Sequence, residues 1–158
     1  MPLEPKPEIE RKWLLSNLPV VEWSYFLDIS QGYITSGGSE VRLRRIIDSR
    51  GPSEKYILSR KTGVGISRME TEIEVSCDVF ELLWPLTPGR RIEKTRYVHH
   101  YQGLKFEVDD YKRKSPLFTL EVELPSTDTT IEFPDKLKTA IIREVTGEAE
   151  WLNSSLAT

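Results

Sequence analysis

Acidic and basic residues recur two positions apart along this chain: Glu8, Glu10 and Lys12; Arg42 and Arg44; Arg68, Glu70, Glu72 and Glu74; Lys94 and Arg96; Glu107 and Asp109; Glu121 and Glu123. Residues two apart share one face of a β-strand, so each set forms a short charged row. Arginine and lysine grip phosphate oxygens through charge-assisted hydrogen bonds, while carboxylates hold hard divalent cations. A polyphosphate carrying its metal needs both kinds of partner. Mg²⁺ or Mn²⁺ suits an all-oxygen donor set; with one cysteine, Cys77, and no histidine at ligand spacing from it, zinc does not.

Strands must carry these rows, because the residues between them are apolar: Ile9, Val41 and Leu43, Tyr56 and Leu58, Ile73 and Val75, Tyr97, Phe106 and Val108, and Leu120, Val122 and Leu124. Such alternation is ordinary for antiparallel strands with one solvated face. The segregation of sign is not. Like charges stacked on one strand repel, and a bound ligand of opposite charge would relieve that repulsion.

The alternation predicts strands over 8–14, 40–47, 55–61, 68–75, 91–99, 103–111 and 117–124, and a short one at Gln31–Ile34 stopped by Ser36-Gly37-Gly38. Residues 20–29 are mixed, suiting a short helix or an irregular connection. Val79, Leu82, Leu83 and Leu86 fall at helical spacing behind Asp78 as N-cap. A second helix is expected over 134–145 with Gly147 as its stop, and one further turn within 151–156. Strands joined mostly by turns argue for an antiparallel barrel or sandwich. Trp13, Trp23, Trp84 and Trp151 are expected in packing, Tyr33 likewise, His99 and His100 in a loop, and Cys77 as a small buried hydrophobe.

A chain of 158 residues suits a single domain over 1–158. No apolar run approaches the roughly 20 residues of a spanning helix. The opening Met1–Pro7 lacks a signal-peptide pattern, which makes the cytoplasm the expected compartment. A net charge of −3, from 22 basic and 25 acidic residues, gives no electrostatic case for a nucleic-acid partner.

Taken in order, the rows resemble the triphosphate tunnel metalloenzymes of the CYTH superfamily, with inorganic triphosphatases of the short bacterial type as the nearest likeness. Glu8-x-Glu10-x-Lys12 matches the signature near the family's N-terminus. Arg42 and Arg44 match its paired-arginine strand after Gln31-Gly32-Tyr33, and Lys61 the lysine of the next strand. Arg68-x-Glu70-x-Glu72, Lys94-Thr95-Arg96, Glu107-x-Asp109 and Glu121-x-Glu123 follow in family order. The resemblance implies an α+β fold: an eight-stranded antiparallel barrel open as a tunnel, charges inside, a few helices outside.

It also implies metal-dependent hydrolysis of inorganic triphosphate to pyrophosphate and phosphate. Lys12, Arg42, Arg44, Lys61, Lys94 and Arg96 would grip the substrate; Glu8, Glu10, Asp109, Glu121 and Glu123 would hold Mg²⁺ or Mn²⁺. Lys12 and Glu72 would be catalytic, with a second metal ion or Glu72 positioning the attacking water. The same tunnel would serve a thiamine triphosphatase, a class IV adenylate cyclase or a non-catalytic polyphosphate-binding module. A homodimer stays open.

Overall fold

In the computed structural model, which describes residues 3–35 and 39–158, eight antiparallel strands close into a barrel. They are β1 (Lys6–Leu15), β2 (Tyr25–Thr35), β3 (Ser39–Asp48), β4 (Glu54–Thr62), β5 (Ser67–Val75), β6 (Arg91–Tyr101), β7 (Leu104–Tyr111) and β8 (Leu117–Glu123). Around the barrel they run β5-β4-β3-β2-β6-β7-β8-β1, and β1 returns to pair with β5 through Lys6↔Glu70 and Glu8↔Arg68. The expected turn at Ser36-Gly37-Gly38 lies outside the described residues.

Register fixes the face of every side chain. Lys12 stands opposite Glu121, Arg42 opposite Ser59, Lys61 opposite Glu70 and Arg96 opposite Asp109, so the charged rows meet inside the barrel. The intervening apolar residues face outward. On β1, β7 and β8, Trp13, Phe106, Val108, Leu120 and Val122 are buried beneath the segment that follows β8, where Phe133, Leu137 and Ala140 cover them. The hydrophobic core is therefore a layer between barrel wall and overlying chain. The lumen is left to charge.

Several local expectations are corrected. Strand β2 begins at Tyr25, so residues 25–29 are neither helical nor irregular. Leu27 and Ile29 face the interior and hide the polar-in, apolar-out rhythm seen elsewhere. Helix α1 spans Cys77–Leu83 and is capped by Ser76, whose hydroxyl accepts from the Val79 amide, not by Asp78; a 3₁₀ turn follows at Trp84–Leu86. Cys77 is exposed at its first position. His99 and His100 lie within β6.

The expected helix over 134–145 is only half helical: α2 covers Asp135–Ala140, and Ile141–Glu144 form a ninth strand, β9. The reason lies in β1. Strand β5 accompanies β1 only as far as Ile9, which leaves the edge at Trp13–Leu15 unpaired, and the β-branched Ile141-Ile142 pair extends the chain there. The tail adds a 3₁₀ turn at Ala149–Trp151 and helix α3, Asn153–Leu156, as the expected further turn. Among the described residues no helix is long and apolar enough to cross a membrane.

Close approach sets one glycine. A Cβ on Gly32 would lie 2.7 Å from Thr87, which packs the connection between α1 and β6 against β2. The outer core yields a direct test of the layer. Leu137 is fully buried, and Leu137→Ala is expected to destabilise the fold by about 2–5 kcal/mol, measured by urea denaturation. An unchanged midpoint would show that the overlying segment contributes nothing to the wall.

Candidate active site

The lumen holds a cavity of about 430 Å³ lined by Glu8, Glu10, Arg42, Arg44, Lys61 and Glu70, with Arg96, Glu107, Glu121 and Glu123 across it. Strands β3, β4 and β6 supply most of its cations, with Lys6 from β1 and Lys105 from β7; β1, β5, β7 and β8 supply its acids. Because neighbouring strands stand about 5 Å apart, opposite charges from facing rows reach one another directly.

Arg96 is the best-held cation. Its Nε donates to Asp109 Oδ1 at 2.7 Å and its Nη2 to Asp109 Oδ2 at 2.8 Å, a bidentate pair; Glu107 accepts from Nη1 at 3.1 Å and Glu121 from Nη2 at 3.3 Å. Lys94 donates to the same Asp109 Oδ2 at 2.8 Å. Burial opposes ionisation of Asp109, yet the charges of Arg96 and Lys94 hold it far below the ordinary carboxylate range. Burial and the neighbouring Arg96 bring Lys94 down to about 7.

A second group forms nearer the open end. Lys61 Nζ lies 2.8 Å from Glu8 and 3.5 Å from Glu70, which also faces Arg42 Nη2 at 3.5 Å. Against the effect of burial, Lys61 and its hydrogen bonds keep Glu8 at about 2. Glu10 behaves oppositely: burial, then the charges of Glu121 and Glu8, push it well above its usual value. Arg42 Nε is buried without any hydrogen-bond partner. Orphaned buried donors are rare, and one on a residue that lines the cavity is a donor left over for a ligand.

The far end is closed by the chain's last turns. Lys12 Nζ donates to the Trp151 carbonyl at 2.6 Å and reaches Asn153 Oδ1 at 3.4 Å, with Glu121 at 3.5 Å. Tyr111 OH donates to Asn153 Oδ1 at 2.5 Å, and Ser154 Oγ to Glu40 at 2.6 Å. Arg68 completes this end through Glu40 at 3.4 Å.

All but two of the predicted site residues are buried or half-buried within the barrel. The exceptions are Glu72 and Glu123, which line the cavity but are exposed. Lys6 pairs with Glu70, so Lys12 lies six residues along β1 from that level, roughly 20 Å away at the rise of a strand, and Glu72 lies farther out still. Lys12 and Glu72, both expected to be catalytic, lie toward opposite ends of the barrel. Asp109 is inside as expected, but both its oxygens are already taken by Arg96 and Lys94.

As the side chains stand, no group of three carboxylates, histidines or cysteines among the described residues is arranged to hold a metal ion. The donor chemistry nevertheless fits a hard divalent cation. Glu8, Glu10, Glu121 and Glu123 share the lumen on paired strands β1 and β8, where burial and then the charges of Glu121 and Glu8 make the Glu10 carboxyl harder to ionise.

Sequence reasoning passed over Gln31, Asn153 and Glu40. Gln31 shares its face with Arg44 through strand pairing, a signal hidden while β2 was read as beginning at Gln31 itself. Glu40 sits two before Arg42 and has the right parity. Asn153 belongs to no barrel strand, so alternation could not have found it.

No protein-family model matches the chain. Curated relatives do. An inorganic triphosphatase of Nitrosomonas europaea is 39% identical over 128 residues, covering 80% of this chain and 82% of its own length. One from Acetivibrio thermocellus is 32% identical over 151 residues, covering 94% and 92%. A crystal structure of an inorganic triphosphatase aligns at 35% identity with a TM-score of 0.63, covering 95% of this chain and 93% of the other. A putative adenylate cyclase of Bacillus halodurans, at 16% identity and a TM-score of 0.54, shares the fold.

Closed barrel, inward charge and these likenesses define a triphosphate tunnel protein of the CYTH type. The chain belongs to that family, the one that holds the inorganic triphosphatases it is similar to.

Asp109 offers a test of how the interior is held. Removing it strands two buried cations, so Asp109→Ala is expected to lower stability by about 3–5 kcal/mol, measured by chemical denaturation. A variant as stable as the parent would show that Arg96 and Lys94 find other partners.

Proposed function

We propose that this chain hydrolyses inorganic triphosphate to pyrophosphate and phosphate inside the cavity. The observation that carries the reading is the arrangement of the lumen: Arg42, Arg44, Lys61 and Arg96 line one cavity with Glu8, Glu10, Glu121 and Glu123. That is the complement of a metal-bearing polyphosphate.

In this reading Arg42, Arg44, Lys61, Arg96 and Lys12 bind the phosphate oxygens and offset the charge that builds on the leaving pyrophosphate. Lys94 adds positive charge behind them. Glu8, Glu10, Glu121 and Glu123 would hold Mg²⁺ or Mn²⁺, which would supply Lewis-acid charge to offset the negative charge of the triphosphate. Asp109 has a different part: with both oxygens engaged, it aims Arg96 and Lys94.

Water must approach from the open side. Glu70, half-buried between Lys61 and Arg42, is better placed than Glu72 to orient it, and burial raises its pKa above the ordinary carboxylate value. The water proton then passes to that carboxylate as the oxygen–phosphorus bond forms and the bridging bond breaks.

Inorganic triphosphate is favoured over thiamine or nucleoside triphosphates by one feature. Among the described residues that line the cavity none is aromatic, so nothing there can stack on a ring. The 39% and 32% relatives named as inorganic triphosphatases support the same choice.

Phosphate release from triphosphate, thiamine triphosphate and ATP, each with Mg²⁺, Mn²⁺ or EDTA, is the decisive assay. Turnover of triphosphate should dominate and should vanish with EDTA. Lys61→Ala and Glu10→Gln should each lower it by about 10² or more while the protein stays folded. Absence of hydrolysis by the folded parent under every condition would leave a binding module instead.

A further inference from the structure

The cations of the lumen are not equivalent. Lys12 faces Glu121, Arg42 faces Glu70, Lys61 faces Glu8 and Glu70, Arg68 faces Glu40, and Lys94 and Arg96 share Asp109. Among the described residues Arg44 has no ion pair. Its hydrogen-bond partner is the neutral amide of Gln31, whose Oε1 accepts from Arg44 Nε at 3.3 Å and from Nη2 at 3.1 Å.

Gln31 is 0% exposed, and its other amide atom is committed as well: Nε2 donates to Tyr33 OH at 3.0 Å. The orientation of this amide follows from chemistry. A guanidinium can only donate, so the atom facing Arg44 must be the oxygen, and the nitrogen is left for the tyrosine oxygen. Strand pairing enforces the contact, since Gln31 stands directly opposite Arg44 on β2 and β3.

A carboxylate at this place would satisfy Arg44 better, because hydrogen bonds between charged groups are the stronger ones. It would also neutralise the charge. We propose that Gln31 is a positioning residue: it aims the Arg44 guanidinium into the cavity and leaves its positive charge for a substrate phosphate. Burial and the nearby cations Arg42 and Arg96 bring Arg44 down to about 10, the mark of a cation short of negative charge around it. Arg44 thus presents an uncompensated charge when the site contains only protein. Arg42, Lys61 and Arg96, which line the same cavity, are each paired with acids.

This inference rests on the cavity binding triphosphate. Its test is calorimetric titration of triphosphate, with EDTA holding turnover off, into the parent, Gln31→Glu and Gln31→Met, alongside thermal midpoints. Gln31→Glu should keep or raise the midpoint yet weaken triphosphate binding by about tenfold or more, the loss of one hydrogen bond to a charged group. Gln31→Met should weaken binding too, by loosening Arg44. Stability and affinity moving in opposite directions is the signature that a merely structural glutamine cannot produce. Unchanged affinity in Gln31→Glu, or affinity losses that follow lowered midpoints in both variants, would overturn the assignment. A folded parent that binds no triphosphate in this titration and releases no phosphate from it with Mg²⁺ or Mn²⁺ would instead overturn the function on which it rests.

Discussion

Charge confined within a closed barrel governs this molecule. Two unit charges 4 Å apart at an effective dielectric near 20 interact by about 4 kcal/mol, so any unpaired like-charged neighbours in the lumen are costly. Each strand projects its polar residues inward, and eight strands closed in a ring leave those residues little access to bulk water. The structure answers by pairing rows of opposite sign: β6 against β7, β4 against both β1 and β5, and β1 against β8. Apolar packing then holds the wall from outside, where Trp13, Phe106 and Leu120 meet the segment around Leu137.

Ion pairs of this kind hold the empty site ready without adding much stability, since desolvation offsets most of the attraction between buried charges. That balance suits binding. In the proposed reading a phosphate at Arg42 and Lys61 would take the place of Glu70 and Glu8, and the freed acids would be left to a divalent cation, so that each ligand would favour the other. Asp109 stands outside this exchange. Held by three hydrogen bonds from two cations, it keeps Arg96 fixed while the surrounding pairs reorganise.

Much of this was legible in the sequence because a strand's period of two makes parity readable. Glu8, Glu10, Arg42, Arg44, Lys61, Lys94, Arg96, Asp109, Glu121 and Glu123 could all be assigned to one face, and the order of the rows carried the family. Parity does not give position along the barrel axis, which depends on how far each strand is staggered. Lys12 and Glu72 share the inner face but sit near opposite ends. Nor does parity reveal a strand whose inward residues are apolar, which is why Leu27 and Ile29 concealed half of β2. Strand β9 escaped for another reason: it exists because β5 ends early beside β1, a fact of tertiary pairing that its own residues do not state.

The closed end shows how a segment with no barrel periodicity can complete a barrel site. Trp151 and Asn153 arrive from beyond β9 and contribute a carbonyl and an amide oxygen, both of which face Lys12. Two neutral acceptors and a distant Glu121 hold that ammonium without fully neutralising it, much as Gln31 holds Arg44. The lumen therefore uses two kinds of support for its cations. Carboxylates fix those that must stay in place or be exchanged, and neutral oxygens orient those whose charge is to remain available. Substituting one kind for the other would preserve the barrel and change its affinity, because the wall depends on packing outside and the site depends on how much charge is left uncompensated within.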